Sequence, residues 1–186
     1  MSSEVNVIEG NKVEENLFTP NCIRTVSGIY INVFNPTMDM ISIEDIAHSL
    51  TYQCRFGGHL PVFYSVAQHS LNCSYLIEDR KLKLAALLHD ASEAYLLDIP
   101  RPIKQGLSNY KEIEDGLMKV IAEKFGFTYP LHSEVKKVDE IMLQLEWDCL
   151  MLNKNTWEMG IVNEWETRNK FMSMFQFYNN HSTQKV

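Results

Sequence analysis

His89 and Asp90 close the apolar run Leu84-Ala85-Ala86-Leu87-Leu88 and open Ala91-Ser92-Glu93-Ala94. A core helix would carry leucine at such positions; here the chain sets an imidazole beside a carboxylate. Both are ligands for a divalent first-row metal, and Glu93 follows one helical turn after His89 on nearly the same face. The grouping points to hydrolysis. A His-Asp dipeptide also arises by chance, so its weight comes from His69 and Asp139, which like His89 and Asp90 fall in segments of helical periodicity. His69 shares an inward side with Cys73 and Ile77, and Asp139 sits beside the apolar stripe of Val135, Val138 and Met142. Singly, each has a plain explanation as a hydrogen-bonded residue near a core. Jointly, two imidazoles and two carboxylates from three antiparallel helices make an N/O ligand set for one divalent ion, as bundles build metal sites between facing helices. Such a set leaves room on a six-coordinate ion for water and a substrate oxygen, and the ion acidifies the one while offsetting charge on the other. Glu93 is then placed to move protons as a general acid or base.

The elements that must position these residues are nearly all helical. β-rich residues flank the turn dipeptide Ser27-Gly28, which predicts a short hairpin ending at Asn35-Pro36. Ser42, with Asp45 three residues on, predicts the start of a helix whose stripe is Ile43, Ile46, Ala47 and Leu50, broken by Gly57-Gly58. Further helices are expected over 62–77, over 81–97 as far as Pro100 and Pro102, and from Ser108 to 125 with Gly126 as the stop. A fifth should start at Ser133 and carry Val135, Val138, Met142, Leu145 and Cys149; the last, 163–178, shows Trp165, Phe171, Met174, Phe175 and Tyr178 as a core stripe. The expected architecture is all-α with a short N-terminal β-hairpin: a polar lead at residues 1–20, then one domain over 21–180.

Composition narrows the function. At 186 residues and 45% hydrophobic the chain is sized for a single substantial core, and nothing in its middle reads as a linker. Its 17 basic and 24 acidic residues leave a net charge of -7, which argues against binding a nucleic-acid polymer. No basic leader or membrane-length apolar run is present, so a cytoplasmic protein without membrane association is expected. Cys22, Cys54, Cys73 and Cys149 lack C-x-x-C spacing and read as buried free thiols. Phosphate-loop, nucleophile-elbow and H-E-x-x-H motifs are all missing from the sequence.

The order His69, His89-Asp90, Asp139 resembles the H…HD…D motif of the HD-domain phosphohydrolase superfamily, which are helical bundles. The block from His89-Asp90-Ala91-Ser92-Glu93 through Asp98-Ile99-Pro100-Arg101-Pro102-Ile103-Lys104 is similar to bacterial and phage HD-domain deoxynucleotidases, including the phage branch that removes phosphate from dATP. The stretch Ile43 to His48, through Arg55-Phe56-Gly57-Gly58-His59, to Phe63-Tyr64-Ser65-Val66-Ala67-Gln68-His69 resembles the phage-type branch. The resemblance covers about residues 22–150. It implies metal ligation by His69, His89, Asp90 and Asp139, catalysis by Glu93, and an acidic residue, Asp98, near the reacting phosphate or sugar. It also implies that Arg55 and Lys104 hold phosphate, that Phe56 lines the sugar or base, and that His59 approaches the phosphate. A planar fork and a point charge are what an acidic chain needs locally to retain an anion.

The implied cofactor is one divalent metal ion, drawn from Mn, Co, Zn, Fe, Ni or Mg, and the implied partner a small-molecule nucleotide. The resembling enzymes assemble, and a chain rich in Met and aromatics has apolar surface to cover, so a homo-oligomer is expected. Ala94 follows Glu93 where guanosine tetraphosphate hydrolases carry an acidic pair, and the tract of the cyclic-di-GMP branch is missing. The expected reaction is therefore stepwise hydrolysis of phosphate from a deoxynucleotide, dNMP or dATP-like, by a metal-activated water. One alternative keeps the site and moves the substrate to a signalling nucleotide. The other is a non-catalytic, metal-containing nucleotide-binding or regulatory module, against which Glu93, Arg55 and Lys104 argue, because a structural metal needs neither proton donor nor phosphate clamp.

Overall fold

The residues on either side of Ser27-Gly28 do pair, over three positions each. In the computed structural model, which describes residues 20–154 and 162–182, β1 (Cys22–Arg24) runs antiparallel to β2 (Tyr30–Asn32) with Ile23 opposite Ile31. Apart from Pro20, the expected polar lead lies outside the described residues. Gly28 turns the hairpin at φ 91°, a conformation that glycine adopts without steric cost. Asp45, in the first turn of α1 (Ile43–Tyr52), holds this turn: its carboxylate accepts from the Ser27 N–H at 2.9 Å and the Ser27 hydroxyl at 2.7 Å.

All other regular structure among the described residues is helical. Ser42 caps α1 as expected, and α2 (Val66–Leu76) begins later than residue 62 because Ser65 and Gln68 close a reciprocal capping box there. The expected single helix over 81–97 is two, α3 (Lys83–Leu87) and α4 (Glu93–Leu96), with His89 and Asp90 in the turn between them. His89 itself explains the break. Its Nδ1–H donates to Ala86 O at 2.8 Å, the carbonyl that a continuous helix would give to the Asp90 N–H. Beyond Leu88 the backbone closes tighter bonds, Ala91 N–H to Leu88 O at 3.1 Å and Glu93 N–H to Asp90 O at 2.9 Å.

A short α5 (Arg101–Lys104), not foreseen, follows Pro100. Asn109 rather than Ser108 precedes α6 (Tyr110–Phe125), which Gly126 ends at φ 76° as expected. His132 rather than Ser133 caps α7 (Ser133–Glu146), its ring accepting from the Glu134 N–H. A π-helical turn at Trp147–Met151 continues α7 and takes Cys149 off the expected stripe, and α8 (Glu164–Ser182) closes the described chain.

The main core joins Ile46 and Leu50 of α1, Leu84 and Leu87 of α3, Leu117 and Ile121 of α6, and Phe171, Phe175 and Tyr178 of α8. A second cluster, with Cys73, Ala85, Ala86, Val135, Val138 and Met142, seats α7 against α2 and α3 and so brings Asp139 toward His69. Trp165 departs from the expected stripe and is 74% exposed, because it lies about a third of a turn off the face shared by Phe171, Phe175 and Tyr178. All four cysteines are free, but only Cys73 is buried and Cys54 is exposed, since the chain leaves α1 for the surface there. No described helix is long and apolar enough to cross a membrane.

Phe171 is the largest α8 side chain with no exposure. Phe171→Ala is expected to cost about 3–5 kcal/mol in a urea unfolding titration. A loss below about 1 kcal/mol would mean that α8 is not part of the cooperative core.

Candidate metal centre

The four predicted ligands meet. His69 enters from α2, His89 and Asp90 from the turn after α3, and Asp139 from the middle of α7. His69 Nε2 lies 3.2 Å from His89 Nε2, 3.1 Å from Asp139 Oδ1 and 3.6 Å from Asp90 Oδ2. His89 Nε2 lies 3.2 Å from Asp90 Oδ2 and 3.6 Å from Asp139 Oδ1. Donors held about 2.0–2.2 Å from one first-row ion stand about 2.8–3.6 Å apart, whether cis-octahedral or tetrahedral, so these spacings suit a shared cation. Because the helix breaks at His89, two adjacent residues reach the same point, which a regular helix would deny by turning them about 100° apart.

Both imidazoles are held from behind. His69 Nδ1–H donates to Glu146 Oε1 at 2.6 Å, and His89 Nδ1–H to Ala86 O at 2.8 Å. An acceptor on each Nδ1 assigns the proton there and leaves each Nε2 lone pair aimed at the other and at two carboxylates. Neutral imidazoles in this arrangement present four acceptors and no donor in a largely buried space, which demands a positive charge. The titration behaviour says the same. Burial and Arg55 oppose a charged His69, yet Cys73, Glu146 and Asp139 together push it well above its ordinary value. Burial opposes a charged His89 too, and Asp90 and Asp139 outweigh it. Burial would raise Asp90, but the two imidazoles hold it down at about 2, and they lower Asp139 in the same way. A metal with two imidazole nitrogens and two carboxylate oxygens satisfies every one of these atoms, and that donor set fits a first-row divalent ion.

Cys73 offers a further donor. Its buried Sγ lies 3.6 Å from His69 Nε2, one helical turn along α2, and His69, Cys73, His89 and Asp139 form a group that could hold a metal ion. Asp90 approaches both imidazoles, whereas Cys73 touches the one on its own helix.

Glu93, Asp98, Arg55, Phe56 and Lys104 line a cavity of about 370 Å³ into which Asp90 and Asp139 also open. Gln53, at the end of α1, sets one side of it: Nε2 donates to Glu93 O at 2.9 Å and Oε1 accepts from the Asp98 N–H at 3.1 Å. Burial, reinforced by Asp90 and Asp98, pushes the Glu93 carboxyl well up, and its Oε2 is buried without a hydrogen-bond partner. Burial raises Asp98 as well. Arg55 is not a free clamp. Buried, with Glu146 Oε2 at 3.2 Å, Asp98 at 3.7 Å and Asp90 at 3.9 Å, it is the internal counter-ion of the acidic cluster. Lys104 bonds Glu114 at 2.6 Å and stands 3.6 Å from Glu93. Phe56, at a left-handed φ of 55°, turns its ring to the cavity, while His59 is exposed and does not line it.

The sequence assigns three residues of this site no part in it. Glu146 is fully buried and links His69 to Arg55; it lies two helical turns beyond Asp139 on the same face of α7, a carboxylate where periodicity asks for an apolar residue. Cys73, four residues after His69, reads in the sequence as a buried free thiol. Arg101 adds an exposed cation to the cavity wall, and nothing in its local sequence distinguishes it from a solvent-facing residue.

No family model matches the chain. It is 46% identical over 124 residues to the uncharacterized protein YfdR of Escherichia coli K12, spanning 67% of this chain and 69% of that protein. It is 35% identical over 136 residues to an uncharacterized protein of Rhodobacter capsulatus, spanning 66% of this chain and 69% of the relative.

Glu146→Gln keeps the shape but removes the charge that orients His69. It is expected to weaken Mn²⁺ or Zn²⁺ binding about 10–100-fold by calorimetry, as loss of such supporting carboxylates does. Unchanged affinity would show that Glu146 does not set the ligand.

Proposed function

The chain belongs to the protein family of Escherichia coli YfdR, and for a member with this site we propose metal-dependent hydrolysis of phosphate from a nucleotide. The observation that carries the reading is the convergence of two buried imidazoles and two half-buried carboxylates on one point, beside a cavity that holds a protonatable carboxyl. The order of the ligands along the chain supports placing it among the HD-domain phosphohydrolases. A divalent ion held by His69, His89, Asp90 and Asp139 would acidify water and offset phosphoryl charge.

The residues of the chain do the rest. Glu93 is the group for proton transfer, since burial beside Asp90 and Asp98 keeps it protonated in a range where an ordinary glutamate is not. Asp98 stands across Arg55 from the ligand set and suits a hydroxyl of the sugar or the leaving oxygen. Arg55 keeps the carboxylates from repelling one another and presents its remaining edge to the cavity. The wall carries three cations, Arg55, Arg101 and Lys104, against the three carboxylates Asp90, Asp98 and Asp139, with Glu93 protonated, so it holds no excess of positive charge. An anionic substrate is therefore welcome only once the ion has added its charge, which orders metal before nucleotide. A cavity of about 370 Å³ is of small-ligand size, and Phe56 with Leu143 and Pro100 offers apolar surface for a sugar or base. Self-association through apolar surface such as Trp165 and Phe177 of α8 belongs to the same proposal.

The test is turnover of nucleoside mono-, di- and triphosphates with Mn²⁺, Co²⁺, Mg²⁺ or Zn²⁺. Glu93→Gln should retain metal by calorimetry and lose on the order of a hundredfold or more in phosphate release. Near-normal release by that variant would remove Glu93 from the mechanism, and no release by the parent with any of the four metals would favour a binding module.

A further inference from the structure

Cys73 has no part in the reaction outlined above, yet its sulfur stands where a metal ligand would. One donor atom from each of His69, Cys73, His89 and Asp139 lies within 4.8 Å of every other, and this group does without Asp90. His69 and Cys73 are four residues apart on α2, the spacing at which two side chains of one helix can grip one ion. The distance between them is tetrahedral. Zinc–sulfur and zinc–nitrogen bonds of about 2.3 Å and about 2.0–2.1 Å set their ligand atoms about 3.5–3.6 Å apart at a tetrahedral angle, and about 3.1 Å apart at a right angle. Cys73 Sγ lies 3.6 Å from His69 Nε2.

Cys73 and Asp90 meet the imidazoles from different surroundings. Cys73 is 1% exposed and packs in the apolar cluster with Ala85, Ala86, Val135 and Met142. Asp90 lines the open cavity with Arg55 3.9 Å away, so a counter-ion is already in place for it when no metal holds it. The two donors also differ in softness: a thiolate selects Zn²⁺, whereas a carboxylate suits Mn²⁺ or Mg²⁺. Four protein ligands fill a tetrahedral zinc centre, while a six-coordinate ion on His69, His89, Asp90 and Asp139 keeps room for water and substrate.

We propose that this centre exchanges Asp90 for Cys73 according to the ion: Mn²⁺ takes His69, His89, Asp90 and Asp139 and stays open to water, whereas Zn²⁺ takes His69, Cys73, His89 and Asp139 and is closed. In the zinc form the Cys73 thiol gives its proton to solvent, the bond from Sγ to the ion forms, and Asp90 turns to Arg55. One thiolate and one carboxylate cancel the charge of the ion, which suits a centre seated against apolar side chains. A closed centre has no place for the attacking water, so zinc switches the site off. That consequence rests on the hydrolase reading, while the exchange of ligands is tested without turnover.

X-ray absorption at the metal edge reads the ligands directly. The parent loaded with stoichiometric Zn²⁺ should show four-coordinate zinc with a single sulfur at about 2.3 Å, and the Mn²⁺-loaded parent nitrogen and oxygen neighbours alone. Cys73→Ala should remove the sulfur and weaken Zn²⁺ binding on the order of a hundredfold in competition with a chelator, with Mn²⁺ binding as in the parent; Asp90→Asn should weaken Mn²⁺ binding and spare Zn²⁺. In turnover, Zn²⁺ added to the Mn²⁺-loaded parent should stop phosphate release, and Cys73→Ala should resist the same zinc concentration. Zinc without a sulfur neighbour in the parent, a sulfur on manganese as well, or a zinc-bound sulfur that survives Cys73→Ala would overturn the exchange. A parent that shows the zinc-bound sulfur yet releases phosphate from no nucleotide with Mn²⁺ would support the exchange and refute the hydrolase reading.

Discussion

Four acceptor atoms that converge on one point with no hydrogen to share are costly to hold together in a largely buried space. At this centre the cost is imposed by the fold: Glu146 and the Ala86 carbonyl take the Nδ1 protons of His69 and His89, which turns both remaining lone pairs inward onto Asp90 and Asp139. Protonation of the imidazoles answers the demand for positive charge only in part, and a divalent ion answers it fully. The rest of the local structure follows from holding those atoms still. The second apolar cluster fixes α7 against α2 and α3, and Arg55 neutralises the carboxylates that the ion does not reach.

The break between α3 and α4 is the local device on which this depends. By taking the Ala86 carbonyl for its own ring, His89 ends the helix and swings Asp90 to the same side, and the new start at Glu93 faces that residue into the cavity. Gln53 then bridges the Glu93 carbonyl and the Asp98 N–H, so the acid and its neighbour keep a constant relation to α1. A site assembled from a turn and pinned by buried side chains has less freedom than one on an open loop, which is what positioning of reacting groups requires.

Much of this was legible in the residues. Type and order alone pick out His69, His89, Asp90 and Asp139, because buried imidazoles and carboxylates in apolar helical stretches ask for partners, and the caps at Ser42 and Gly126 are local signals that tertiary structure left intact. The break at His89 was hidden, since the apolar spacing from Leu84 to Ala94 reads as one continuous helix and the cause is a side-chain hydrogen bond. The internal role of Arg55 was hidden for another reason: its partner Glu146 is 91 positions away, and only packing shows that a residue expected to meet substrate is held by a buried carboxylate. His59 was placed by its neighbours in the motif, and the left-handed turn at Phe56 and Gly57 carries it outward instead.

The central claim is that one cation belongs at the meeting point of these four side chains. Anomalous-difference density from a Mn²⁺-soaked crystal, collected at the manganese edge, tests it directly. The account predicts a single peak about 2.0–2.3 Å from His69 Nε2, His89 Nε2 and carboxylate oxygens of Asp90 and Asp139. A peak that engages Cys73 in place of Asp90 would contradict the ligand set, and no peak between the two imidazoles would contradict the account itself.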